Sequence, residues 1–277
     1  MKAYIHCTDG IPTFDFAMAC YEGAQKRGME IIKFDDIMEV PANKNNLVVA
    51  CIEDTISYLE RLGVDTPYAL DAFAMLNGSG LIKRKYYVMK LSDIMPTEPH
   101  QTMTFFKDKP FFMKPLKNTK AFAAGVVTNY KNLPIMLSDY KGPKDIEVLV
   151  SEVVDMVSEY RVFVRTRTYN DDPITGVKHY LGDPFLVPDK QYVVDAINYL
   201  KRYTDMPHSY TLDVAILSDG RTEVIELNDA WSSGSYGLNG KDYLSFYIDR
   251  WIQLMGPKYT QPDRVNKTYN KDDKQFR

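Results

Sequence analysis

Three residues in the carboxy-terminal third, Asp213, Glu226 and Asn228, are spaced so that they can act together. The run Thr211-Leu212-Asp213-Val214-Ala215-Ile216-Leu217-Ser218-Asp219-Gly220-Arg221-Thr222-Glu223-Val224-Ile225-Glu226-Leu227-Asn228 has strand-like alternation on both sides of an Asp-Gly pair, the mark of a β-hairpin. With Asp219-Gly220 as a two-residue loop, Ser218 pairs with Arg221, and the register sets Asp213 opposite Glu226. Asn228 follows on the same face, while Leu212, Val214, Ile216, Ile225 and Leu227 form an apolar row expected in the core. Carboxylates facing each other across a strand pair sit ~5 Å apart and repel unless a cation lies between them. Two carboxylates and an amide carbonyl are hard oxygen ligands that suit Mg²⁺, which also keeps waters and phosphate oxygens. A solvated strand face, or a carboxylate ion-paired to a nearby arginine, would explain the same residues without a metal.

Cationic residues supply the complementary chemistry. In Ser158 to Arg167, strand alternation places Glu159, Arg161, Phe163, Arg165 and Arg167 on one face and Tyr160, Val162 and Val164 on the other. Guanidinium groups bind phosphate oxygens through paired donors, so a phosphorylated ligand fits this face; an exposed charged sheet face has the same pattern. Lys114 stands among the large apolar residues of Pro110-Phe111-Phe112-Met113-Lys114-Pro115, where a buried ammonium needs an anion and an exposed one reaches water past the strand end. The following turn adds Lys117 and Lys120. There is no Gly-x-x-x-x-Gly-Lys loop and no Gly-x-Gly-x-x-Gly, and His6, His100, His179 and His208 do not cluster with Cys or acidic ligands.

Positioning these groups requires paired strands, and residues 111 onward supply the pattern: Phe111–Lys114, Ala121–Thr128, Glu147–Val154, Tyr160–Thr168, Gly176–Leu181, Tyr210–Leu217 and Glu223–Asn228. Helices are expected over Asp189–Tyr203 and near Lys241–Leu254. Upstream, strands Ala3–Cys7, Glu30–Phe34 and Asn46–Cys51 alternate with helices Phe14–Arg27 and Glu53–Leu62, a small parallel α/β layer. A short helix at Asp71–Leu76 precedes Asn77-Gly78-Ser79-Gly80, the clearest joint, which puts a boundary between 77 and 100 and, at its finest, domains at 1–80 and 81–256. The tail, 257–277, is polar and expected to be disordered.

With 277 residues, 45% of them hydrophobic, the chain can bury a large core, yet no apolar run approaches the ~20 residues of a membrane span. A net charge of -3 gives no whole-chain footprint for nucleic acid. The amino terminus lacks a signal-peptide pattern, and Cys7, Cys20 and Cys51 lack metal-type spacing, so reduced thiols and a cytoplasmic location are expected.

The ordered set Lys114, Glu152-Val153-Val154, Glu159, Arg161, Asp213, Glu226 and Asn228 resembles the ATP-grasp superfamily, the fold of D-alanine ligase and glutathione synthetase. The segments Glu159-Tyr160-Arg161-Val162-Phe163-Val164 and Glu226-Leu227-Asn228-Asp229-Ala230-Trp231-Ser232-Ser233-Gly234-Ser235-Tyr236-Gly237 are most similar to a bacterial and phage clade with two recurring arginines and a lysine. The resemblance covers about residues 80–255 and implies an α+β ATP-grasp fold, two α+β subdomains clasping ATP, preceded by the α/β layer. It implies Asp213, Glu226 and Asn228 as Mg²⁺ ligands and Lys114 and Arg161 as the catalytic cations. It further implies Glu152, Val153 and Val154 as the adenine-holding hinge and Glu159 as the ribose acid, with Lys120 and Arg84 as further nucleotide contacts. Two departures stand out: the turn Pro115–Lys120 has no glycine, and Thr211 stands where D-alanine ligases carry an arginine.

The expected activity is an ATP- and Mg²⁺-dependent carboxylate-amine ligase working through an acyl phosphate, with ATP and an unidentified carboxylate and amine as partners. The rivals are a small-molecule kinase, which would release ADP without needing an amine, and a nucleotide- or RNA-binding module without turnover.

Overall fold

A computed structural model describes residues 1–94, 109–116, 121–129, 132–167 and 172–256; Lys120 and the tail from 257 lie outside the described residues. The chain divides into two compact units, Met1–Leu81 with Met156–Arg277, and Ile82–Asp155. The second half of the expected ATP-grasp segment thus shares a unit with the amino-terminal layer.

That layer holds β1 (Lys2–Thr8), β2 (Ile11–Pro12), α1 (Asp15–Lys26), β3 (Ile31–Phe34), β4 (Asn46–Val49), α2 (Ile52–Arg61) and α3 (Ala72–Met75). β1 is central, parallel to β3 on one side and β4 on the other, and β2 folds back on its end. Parallel strands buried on both faces read as continuous apolar runs, and β4 is buried at every residue. The Cys51 thiol caps α2 by accepting from the Asp54 amide.

The smaller unit contains β5 (Tyr86–Lys90), α4 (Leu91–Ile94), β6 (Phe111–Pro115), β7 (Gly125–Val127), α5 (Leu133–Met136) and β8 (Glu147–Glu152). Its antiparallel sheet has the order β5-β8-β6-β7. Phe111, Met113, Val148 and Val150 project into one core with Leu91, Ile94 and Leu133. Strand β5 was hidden in the sequence by the Lys83-Arg84-Lys85 cluster, and β7 is shorter than the Ala121–Thr128 expectation.

The chain then re-enters the larger unit through β9 (Met156–Arg165), β10 (Ile174–Gly182), α6 (Lys190–Leu200), β11 (Ser209–Leu217), β12 (Thr222–Asp229), a 3₁₀ turn at Ala230–Ser232 and α7 (Gly240–Met255). The sheet runs β10-β9-β11-β12, all antiparallel. Every residue of β11 is buried, as a central strand covered on both faces must be. Asn239 caps α7, which buries Tyr243, Tyr247, Trp251 and Leu254 at helical spacing. The Trp251 indole donates to the Asn46 carbonyl at 2.7 Å and the Tyr247 hydroxyl to that of Val48 at 2.8 Å, fastening α7 to β4. α1 crosses α7 where Gly23 meets Gly240: a Cβ on Gly23 would lie 2.2 Å from the Gly240 carbonyl oxygen. Only two glycines permit that backbone approach.

The expected hairpin is present with a different loop. Leu217 and Arg221 close a three-residue loop, Ser218-Asp219-Gly220, in which Gly220 takes a left-handed φ of +84°. A bulge then shifts the register, so that Val214 faces Val224 while Asp213 still faces Glu226. Consequently Val224, not Ile225, completes the buried row with Leu212, Val214, Ile216 and Leu227, and Ile225 is half-buried.

Candidate functional site

On the β9-β11-β12 face, Asp213 is paired across to Glu226 on one side and to Arg161 on the other. Asp213 is 3% exposed and Arg161 is 7% exposed. The guanidinium grips the carboxylate with both arms, Nε to Oδ1 at 2.8 Å and Nη2 to Oδ2 at 2.7 Å. The Asn228 amide donates to Asp213 Oδ2 at 3.2 Å and to Glu226 Oε2 at 3.4 Å, so the three expected metal-binding side chains do converge. Burial pushes the Asp213 carboxyl above the usual carboxylate range; the Arg161 guanidinium offsets part of this, and Glu226 and Glu159 add to it. Among the described residues no three His, Cys, Asp or Glu side chains gather as a metal cluster. The set here is two carboxylates and an amide. As donors they fit Mg²⁺ if the Asn228 amide turns over, presenting oxygen where it now presents nitrogen.

The three arginines, Arg161 and Arg165 on β9 and Arg167 two residues past its end, have different surroundings. Arg161 is committed to Asp213, Arg165 donates through Nε to Asp249 of α7 at 2.8 Å, and Arg167 is exposed. Phe163, between them on the same face, is wholly buried against Tyr243 and Phe246 of α7. Helix α7 therefore covers the Phe163–Arg165 half of the face, and the Glu159–Arg161 half carries the polar site.

Residues that pattern reading did not single out complete this half. The Tyr180 hydroxyl of β10 donates to Glu159 Oε2 at 2.9 Å, and burial, reinforced by Asp213 and Glu159, pushes its ionisation well up. The Tyr180 ring lies 5.1 Å from that of Tyr236, whose ring in turn sits 4.3 Å from the Arg161 guanidinium carbon. Asp229 turns the chain out of β12: its carboxylate accepts from Trp231 N and is gripped by Arg250 at 2.8 and 2.6 Å, both residues being buried. Asp15, at the start of α1, reaches the same loop. Its Oδ2 accepts from Ser235 N at 3.0 Å, Ser235 Oγ at 2.8 Å and Tyr236 N at 3.2 Å.

The remaining expected residues belong to the smaller unit. Lys114 on β6 is half-buried opposite Leu149, rather than enclosed among its apolar neighbours. Glu152 ends β8, and its Oε2 accepts from Lys85 N at 2.9 Å. Val153 and Val154 lie past the strand end, just before the passage between units at Asp155. Arg84 is 8% exposed, a more buried position than its basic neighbours suggested.

A four-stranded antiparallel sheet in each unit, with an Asp, then a Glu and Asn on adjoining strands of the larger unit, is ATP-grasp architecture. The chain belongs to the ATP-grasp domain, R2K clade family 2, whose model matches residues 83–246. Similar solved structures include a D-cycloserine synthetase, at TM-score 0.58 and 12% identity over 91% of this chain and 100% of that one. Another is the D-alanine–D-alanine ligase from Bacillus anthracis complexed with ATP, at TM-score 0.56 and 13% identity over 92% and 97%. A third is the ATP-grasp ligase PsnB complexed with a minimal precursor, at TM-score 0.53 and 13% identity over 90% and 98%. At these identities the likeness establishes the fold. No curated protein matches by sequence. No helix among the described residues is long and apolar enough to cross a membrane.

Proposed function

We propose that the protein is an ATP- and Mg²⁺-dependent carboxylate-amine ligase. The observation that carries this reading is the convergence of Asp213, Glu226, Asn228 and Arg161 on one sheet face in a chain of an ATP-grasp family. Relatives of the same fold named as D-cycloserine synthetase and D-alanine–D-alanine ligase support a ligase over other uses of ATP.

Asp213, Glu226 and Asn228 would hold Mg²⁺, which when bound supplies neutralising charge to the phosphate oxygens. Arg161 presents guanidinium donors to the oxygens of the transferring phosphoryl group, and Lys114 is assigned as a further nucleotide-binding cation. A carboxylate oxygen of the substrate attacks the γ-phosphorus of ATP, and the bond to the bridging oxygen of ADP breaks. The amine nitrogen then attacks the acyl carbon and phosphate departs with the former carboxylate oxygen, the nitrogen losing a proton. Protein groups position reactants and offset charge; none need form a covalent bond. The loop from Trp231 to Gly237, directly after the metal-binding strand, is the segment assigned to acceptor orientation.

An ADP-release screen against pooled amino acids, peptides and carboxylic acids, with hydroxylamine to trap the activated acyl group as a hydroxamate, tests this. ADP and phosphate should form only with a carboxylate and an amine together, and Glu226→Gln should abolish turnover while leaving the fold intact. ADP with a stable phosphorylated alcohol would instead mark a kinase, and AMP with pyrophosphate would exclude the acyl phosphate.

A further inference from the structure

The contacts of Asp15 are unusual for a helix-initiating acid. An acidic residue in a first helical turn ordinarily serves its own helix, through the dipole or the free amides. Here Oδ2 accepts three bonds from residues 220 and 221 positions away, Ser235 and Tyr236. Ser235 is nearly fully buried beneath this contact.

Tyr236 needs such restraint. Its φ is +47°, a left-handed conformation that side chains other than Asn and Asp adopt rarely, so surrounding contacts must hold it. The conformation directs its ring over the Arg161 guanidinium and against Tyr180, which binds Glu159. Arg161 is thereby fixed in two ways: Asp213 takes the Nε–Nη2 edge of the fork, and Tyr236 covers a face. With edge and face both set, the direction of the Nη1 donors is set as well.

We infer that Asp15 is a positioning residue which, by holding Tyr236, fixes the orientation in which Arg161 meets a phosphoryl oxygen. This rests on the ATP-grasp reading of Arg161 for its chemistry, but the relay itself is a property of the folded chain. The amino-terminal layer thus supplies the clamp that orients a cation of the sheet.

The test has two arms. In the first, the Arg161 Nε–H resonance, assigned by its loss in Arg161→Lys, carries the ring-current displacement of an overlying aromatic ring. Asp15→Ala and Tyr236→Gly should both remove that displacement, and Tyr236→Phe, which keeps the ring, should retain it. Tyr236→Gly, which deletes the ring, supplies the undisplaced reference, and Asp15→Ser, which withdraws Oδ2 but keeps a residue suited to a helix start, gives the readout if Asp15→Ala unfolds. A loop that holds Tyr236 without help from Asp15 would leave the resonance at its wild-type position in Asp15→Ala and Asp15→Ser, and that result overturns the relay. In the second arm, with a carboxylate and amine pair found by the screen, Asp15→Ala should lower kcat by about tenfold to a hundredfold with little change in KM for MgATP, as expected for misplacement of a catalytic group. Adding Asp15→Ala to Tyr236→Gly should cost nothing further; additive losses would show that Asp15 does not act through Tyr236. If the wild-type protein turns over no ATP with any pair, the ligase reading fails while the resonance still decides the relay.

Discussion

Replacing Arg161 with alanine isolates what the buried ion pair does. The substitution removes two charge-assisted bonds, at 2.8 and 2.7 Å, from a carboxylate that is 3% exposed and faces Glu226 across the strand pair. An uncompensated buried charge of this kind costs about 3–5 kcal/mol. Because Asp213 is strongly desolvated, the loss should fall at the upper end of what single substitutions do. A divalent cation can replace the guanidinium: if Asp213, Glu226 and Asn228 bind Mg²⁺, saturation at a hundredfold excess over Kd restores about 2.7 kcal/mol. Wild-type protein should respond less, since Arg161 competes for Asp213. Both tryptophans, Trp231 and Trp251, are buried in the unit that holds the site, so their fluorescence during urea unfolding reports on it directly. Arg161→Ala should show the loss and the Mg²⁺ rescue, and Arg161→Ala with Glu226→Gln should show no rescue. A loss below about 1 kcal/mol, or equal Mg²⁺ stabilisation of variant and wild type, would refute the reasoning.

Lys114→Ala should weaken MgATP binding more than about tenfold, the loss of ~1.5–3 kcal/mol from a charge-assisted contact, with circular dichroism unchanged because the residue is only half-buried. Calorimetry showing wild-type affinity would remove it from the nucleotide site. Gly23→Ala should destabilise by about 1–3 kcal/mol although alanine is the better helix former, because its Cβ would meet the Gly240 carbonyl oxygen at 2.2 Å and force α1 from α7. Urea unfolding gives the sign at once. Burial, then Arg167 and Arg250, hold His208 below its ordinary value of 6.5, so the unfolded chain binds the extra proton first. Its contribution to stability is fully present above that value and is lost as pH falls below it; His208→Gln should flatten this acid limb.

Much of the fold was legible because strand alternation and helix-stopping glycines are local signals. The pairing of Asp213 with Glu226 followed from register arithmetic, but through two displacements that cancel. The loop has one residue more than an Asp-Gly turn implies, and the bulge near Ile225 restores the offset. Alternation alone cannot detect a bulge, which is why Ile225 was exchanged for Val224 in the core. The surroundings of the arginines were not legible for a different reason. Their spacing established a shared face, whereas their partners lie 52 and 84 residues away and decide their chemistry. Asp15 offered no signal at all: as a first-turn acid it resembles any other, and its partners are 220 residues distant.

The ion pair between Arg161 and Asp213 also constrains how a nucleotide can be accommodated. Three acids, Asp213, Glu226 and Glu159, share this half of the sheet with one guanidinium whose Nε–Nη2 edge is already engaged. Bringing polyphosphate alone to such a face adds negative charge where negative charge already predominates, and burial magnifies the repulsion. A metal arriving with the phosphates reverses the sum, since it adds positive charge beside Asp213 and Glu226 while the Nη1 donors of Arg161 meet phosphoryl oxygens. On the proposed reading, ATP without Mg²⁺ should therefore bind far more weakly than MgATP to the wild-type protein, and Glu226→Gln, by removing one acid, should narrow that difference. Calorimetric titration of both proteins with ATP in EDTA and with MgATP measures it. An unchanged preference for MgATP in Glu226→Gln would place the metal away from this carboxylate.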